Sequence, residues 1–216
     1  MNIKNYALIP FLVALIALAL AASAYLFDAP AVAYMYSEQG FFEQASPIIW
    51  IIAALFCLWK MFEGGAKYLI LGLTFLVLAG REWHMHKAFT SDSILKINFY
   101  KDGFGLEQLF GGLAALAIIG LILATLVILI RAIFLNRGYA TKGGQLLFMG
   151  LSLLVASKIM DRAPAILRGD YNIALDEQFI LALLALEEGF EFFCPVLILL
   201  GVIYKYRAEK VQPLLP

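Results

Sequence analysis

The sequence predicts an all-α fold: a polytopic membrane helix bundle of about six transmembrane helices, forming one domain over residues 1–216. Three observations predict it. Of the 216 residues 63% are hydrophobic and only 15% charged, against roughly 45–50% and 25% in soluble domains. Six separate apolar runs come close to or exceed the length of about 20 residues that a helix needs to cross hydrocarbon. The glycines, prolines and charges between them gather in short segments, which leaves no soluble domain of useful size once the runs are removed.

The first span is expected over about 7–27, after Lys4. AASA and AVA in and after it resemble signal-peptidase sites, but the run is longer than a signal-peptide core and reads as a retained span. The loop DAPAVAYMYSEQGFFEQ holds Asp28, Glu38 and Glu43 and no Lys or Arg. The second span is expected over about 45–62, with Pro47 in its first turn, where a missing N–H is harmless. A tight turn, Glu63 to Lys67, leads to the third span at about 68–86. In the loop that follows, TSDSILKINFYKDGFG, Thr90 to Ser93 can cap a short interfacial helix. The fourth span is expected over 106–134, where Gly111 with Ala115 and Gly120 with Ala124 permit close helix contact. The fifth covers about 145–166, with Pro164 in its last turn, and the sixth about 179–204, before the basic tail Lys205, Arg207 and Lys210.

Lys and Arg counts in short loops set orientation. One side carries nine (Lys4, Lys60, Lys67, Arg131, Arg137, Lys142, Lys205, Arg207, Lys210) and the other six (Arg81, Lys87, Lys96, Lys101, Arg162, Arg168). The bias places both termini in the cytoplasm, with the chain in a bacterial-type inner membrane. No internal repeat supports an inverted-repeat transporter. The formal net charge is zero and no basic block is present, which argues against nucleic acid as a partner. The expected surroundings are the lipid bilayer and, where the Gly111 and Gly120 faces are used, a second copy or a membrane partner. Cys57 and Cys194 lie inside apolar runs and read as small apolar side chains.

The sixth span carries Glu187, Glu188 and Glu191. A carboxylate at mid-membrane costs about 3 kcal/mol even on a lenient insertion scale. Three would approach the whole stability of a typical domain, roughly 5–15 kcal/mol, so partners are expected. In the predicted topology they lie at the outer ends of other spans: Glu43 on the second, Arg81, Glu82, His84, His86 and Lys87 on the third, and Lys158, Asp161 and Arg162 on the fifth. The three glutamates lie roughly 15 Å along the sixth span from its outer end, at 1.5 Å per residue. Spacings of three and four residues give each helix a polar edge. Six carboxylates then face four fixed cations and two histidines, a near-balance that suits a buried, paired network.

Three chemistries fit this cluster: an ionic network that fixes helix register, a site for a cation, proton or polar ligand, or a membrane-embedded metal-dependent hydrolase. The metal candidates are Glu82, His86, Glu188 and Glu191. Against a di-metal centre, the chain has one Glu-x-x-x-His and no second His-bearing helix, and His84 and His86 point to different sides of a helix. The same lack of a second His disfavours haem, and no cofactor is indicated. Gly-x-Ser-x-Gly, His-Glu-x-x-His and phosphate-binding glycine loops are absent from the sequence. Ser157 and Lys158 are adjacent and diverge by about 100°, which argues against a Ser–Lys nucleophile pair. The 17 Phe and 10 Tyr read as lipid-facing surface and interface belt.

At REWHMHK (81–87), KIMDR (158–162) and LEEGFE (186–191) the chain resembles an uncharacterised group of bacterial multi-spanning inner-membrane proteins. The similarity spans about Phe42 to Leu200. It implies that these polar positions belong together and brings no activity with it.

The sequence therefore points to an integral membrane protein with an outer-leaflet acidic pocket that binds or conducts a small cation, proton or polar ligand. Glu187, Glu188 and Glu191 form its floor, Arg81, Lys158 and Arg162 its counter-charges, and His86 titrates most readily near neutral pH. A scaffold or sensor subunit acting through a partner or oligomer is the second reading, and the hydrolase the third.

Overall fold

The computed structural model describes residues 8–83, 99 and 105–211. Among these it contains seven α-helices, one 3₁₀ turn and no strand: α1 (Leu8–Leu26), α2 (Ala29–Met35), α3 (Phe41–Gly64), α4 (Ala66–Glu82), α5 (Leu106–Phe134), the 3₁₀ turn (Leu135–Ala140), α6 (Lys142–Gly169) and α7 (Glu177–Val211). The all-α prediction holds. Four helices, α1, α3, α5 and α6, are long and apolar enough to cross a membrane. The other two expected spans are helices of 17 residues (α4) and 35 residues (α7). Bands of Leu, Ile and Phe stand exposed along α1 and α5, a surface suited to hydrocarbon rather than water.

Two helix boundaries differ from the sequence expectation. Helix α3 starts at Phe41 and not near Ala45, so Pro47 is an interior residue and removes the main-chain donor from the Glu43 carbonyl. Gln44 N–H donates to the Gly40 carbonyl at 3.2 Å, which pulls the start of the helix upstream. Helix α6 continues past Pro164 to Gly169. The interfacial helix expected after Thr90, and the end of the third span from His84 to Lys87, lie outside the described residues.

The chain divides into two compact units: Met1–Ser46 with Ala132–Pro216, and Pro47–Arg131. In the first, α7 packs mainly on α6 and next on α1. Contact between α6 and α7 is close because glycines face each other's helices. A Cβ at Gly150 would sit 2.7 Å from Ile198 Cγ1 and 3.3 Å from the Cys194 carbonyl, and one at Gly201 would sit 2.7 Å from Leu147 Cγ. Residue numbers rise along α6 as they fall along α7, so the two run antiparallel. Thr141 caps α6, its Oγ1 accepting from Gly144 N–H at 3.1 Å. Helix α2 buries Val32, and Tyr36 just beyond it meets Ser23 of α1 through their hydroxyls at 3.2 Å.

The second unit contains the rest of α3, α4 and α5 up to Arg131. Trp50 packs on Phe75 with ring centroids 5.3 Å apart. The Thr74 and Thr125 hydroxyls meet at 2.7 Å, and Thr74 also donates to the Ile70 carbonyl at 2.9 Å. Of the small-residue faces expected on α5, Gly111 and Ala115 are buried, whereas a Cβ at Gly120 would meet nothing within 4 Å. The close helix approach in the first unit is instead made by Gly150 and Gly201.

Candidate functional site

The site is built in the first unit by three helices, each supplying residues three or four apart. Helix α7 carries Glu187, Glu188 and Glu191; its Gly189, between them, lets Leu20 of α1 come into direct contact. The antiparallel α6 brings Lys158 and Asp161 alongside. The first turn of α3 contributes Glu43 and, one turn on, Ser46.

Four contacts and one unpartnered oxygen define the geometry. Lys158 Nζ donates to Glu191 Oε1 in a close ion pair; the Glu191 side chain is 11% exposed and that of Lys158 39%. The Glu43 and Glu188 side chains are within hydrogen-bonding reach of each other. Glu188 Oε2 is shut off from solvent and, among the described residues, has no hydrogen-bond partner. Glu187 interacts with the charges of Asp161, Glu191, Lys158 and Glu43. Ser46, 1% exposed, donates its hydroxyl to the Glu191 main-chain carbonyl at 3.2 Å.

The Glu43–Glu188 contact bears on protonation through the hydrogen-bonding capacity of a carboxyl group. An ionised carboxylate only accepts, so two carboxyl groups hydrogen-bond each other when one of them holds a proton. Among the described residues, four glutamates here face a single lysine. Such an excess is costly where water is scarce, and a bound proton or cation relieves it.

The sequence-predicted residues thus separate. Glu43, Lys158, Asp161, Glu187, Glu188 and Glu191 come together. Arg162 does not reach the glutamates as a counter-charge: its side chain is 78% exposed and pairs at 3.5 Å with the adjacent Asp161, itself 44% exposed. Arg81 and Glu82 lie in the other unit, where they are 3.6 Å apart at the end of α4. His86, the titrating group of the sequence reading, lies outside the described residues with His84 and Lys87. Of the metal candidates, Glu188 and Glu191 share a face of α7; among the described residues no group of three His, Cys, Asp or Glu is arranged to hold a metal ion.

Sequence reasoning missed Ser46 and a wall of aromatic rings. Phe42 stacks on Tyr36 (4.9 Å between centroids) and meets Phe192 edge-on (5.4 Å), while Phe192 meets Phe193 at 5.0 Å and Phe41 at 5.8 Å. These rings touch one another across α3 and α7 and are not simply lipid-facing. A signal existed: Phe41-Phe42 immediately precedes Glu43, and Phe192-Phe193 immediately follows Glu191. No protein-family profile, curated protein or solved structure matches this chain.

Proposed function

We propose that the chain is an integral membrane protein whose intramembrane acidic cluster binds a proton, exchangeable for a small cation. Glu43 and Glu188 share the proton. Glu191 is held by Lys158, and Glu187 adds negative potential. The observation that carries this reading is the Glu43–Glu188 contact beside the unpartnered, solvent-shielded Glu188 Oε2. A purely structural ionic network would pair its charges, and among the described residues this one leaves four glutamates to one lysine.

The membrane frame is part of the same proposal: six spans, α1, α3, α4, α5, α6 and α7, in a bacterial-type inner membrane with both termini cytoplasmic. The Lys and Arg bias of nine against six supports the orientation. The order of contacts supports the threading. Glu43 meets Glu188 and Ser46 meets Glu191, so the first turn of α3 runs in the same direction as α7, while α6 runs against α7. Alternate crossings from α3 to α7 require that order.

The test is unfolding of the whole protein in lipid nanodiscs across a pH series, with and without Na⁺, K⁺ or Ca²⁺. The folded state holds a proton that the unfolded chain releases, so stability falls as pH rises. Glu188→Gln, which donates to Glu43 without a proton to lose, flattens that curve. A wild-type curve already flat in pH and insensitive to all three cations would refute the reading.

A further inference from the structure

The Glu191 carbonyl should have no main-chain donor. In an α-helix the carbonyl of residue i accepts from the N–H of residue i+4, and four residues after Glu191 stands Pro195, inside α7 and fully buried. Proline has no N–H to give. Inside a bilayer an unsatisfied carbonyl is costly, and a hydroxyl from a neighbouring helix is one way to satisfy it. Ser46 of α3 does this: its hydroxyl donates to that same carbonyl at 3.2 Å, and the side chain is buried.

Glu191 therefore ties three helices together, its main chain to Ser46 of α3 and its side chain to Lys158 of α6. The bond also sets the register of the carboxyl pair. Ser46 lies three residues after Glu43, and Glu191 three residues after Glu188. The two helices thus meet at two rungs one turn apart, Glu43 on Glu188 and Ser46 on Glu191. Moving the second rung moves the first.

We propose that Ser46 is the positioning residue of the acidic site: its hydroxyl replaces the donor that Pro195 removes from the Glu191 carbonyl, and so holds Glu43 against Glu188. The link between Ser46 and Pro195 stands on its own; its effect on the carboxyl pair rests on the proton-binding reading.

A double-mutant cycle on the full chain in nanodiscs tests the link. Ser46→Ala lowers the unfolding temperature by about 2–4 °C, as expected for loss of one hydrogen bond in a protein of this size. Pro195→Ala returns a main-chain N–H to Glu191, so in that background Ser46→Ala has less than half the effect. An equal drop in both backgrounds overturns the link. Ser46→Thr and Ser46→Val, which share a shape and differ in the hydroxyl, repeat the test without touching Pro195: Thr outlasts Val if the donor matters, and equal stability contradicts it. The pH profile reads the positioning role. Ser46→Ala shifts the midpoint of the stability curve and Ser46→Thr restores it, whereas an unmoved midpoint overturns positioning. A wild-type curve with no pH dependence sinks the proton reading and, with it, the positioning role, while the cycle still decides the link.

Discussion

The two units of the chain handle polar groups within apolar helices in opposite ways. In the second, Thr74 and Thr125 are neutral, bond each other at 2.7 Å, and Thr74 donates back to its own helix. That arrangement is complete in itself and needs no further atom. In the first, among the described residues, the glutamates of α3 and α7 outnumber the lysine that faces them, and one carboxyl oxygen is buried without a partner. On the proposed reading, that difference separates a structural polar contact, which closes its own hydrogen bonds, from a cluster that leaves a valence for a proton or cation to fill.

Substitutions in each unit sharpen that contrast. The largest effect is expected from Lys158→Met. It leaves Glu191 without its counter-charge and costs about 2–3 kcal/mol, below the usual range for a broken buried pair because the lysine is partly exposed. Chemical denaturation in mixed micelles measures it, and adding Glu191→Gln should recover most of the loss. If the double variant is no better than the single one, the pair is not what holds Lys158 in place.

Next comes packing. Gly150→Val forces a Cβ against Ile198 and the Cys194 carbonyl and should cost about 1–3 kcal/mol. Gly120→Leu, facing open space on α5, should stay within about 0.5 kcal/mol. The same denaturation assay compares them, and a large loss at Gly120 would reveal a helix partner on that face.

Thr74→Val should cost about 1 kcal/mol, by the same amount at every pH. That invariance is the control for the acidic cluster, where Glu188→Gln changes the shape of the pH curve. A pH-dependent loss at Thr74 would break the contrast between the units.

Much of this was legible in the sequence because the membrane simplifies it. Runs of apolar residues mark helices nearly to their ends, and spacings of three and four residues place Glu187, Glu188 and Glu191 on one face of α7. The antiparallel α6 then brings Lys158 to Glu191 as the charge pattern suggests. What the sequence concealed depends on angles around helix axes. Arg162 lies one turn beyond Lys158, yet its side chain is exposed and pairs with the adjacent Asp161, in a part of α6 where no residue after Ser157 is buried. Ser46 was invisible because its role depends on Pro195, nearly 150 positions away, and a lone serine in an apolar run carries no pattern. The aromatic wall was read as lipid surface because composition cannot tell Phe–Phe contact from Phe–lipid contact.

The central claim is the proton shared by Glu43 and Glu188, and infrared difference spectroscopy tests it most directly. Glutamate-labelled and unlabelled protein in nanodiscs would be compared at neutral pH in H₂O and D₂O. A shared proton gives a carboxylic-acid C=O band that shifts with the label and with deuterium and vanishes in Glu188→Gln. Superimposable wild-type and Glu188→Gln spectra, with every glutamate ionised, would contradict it.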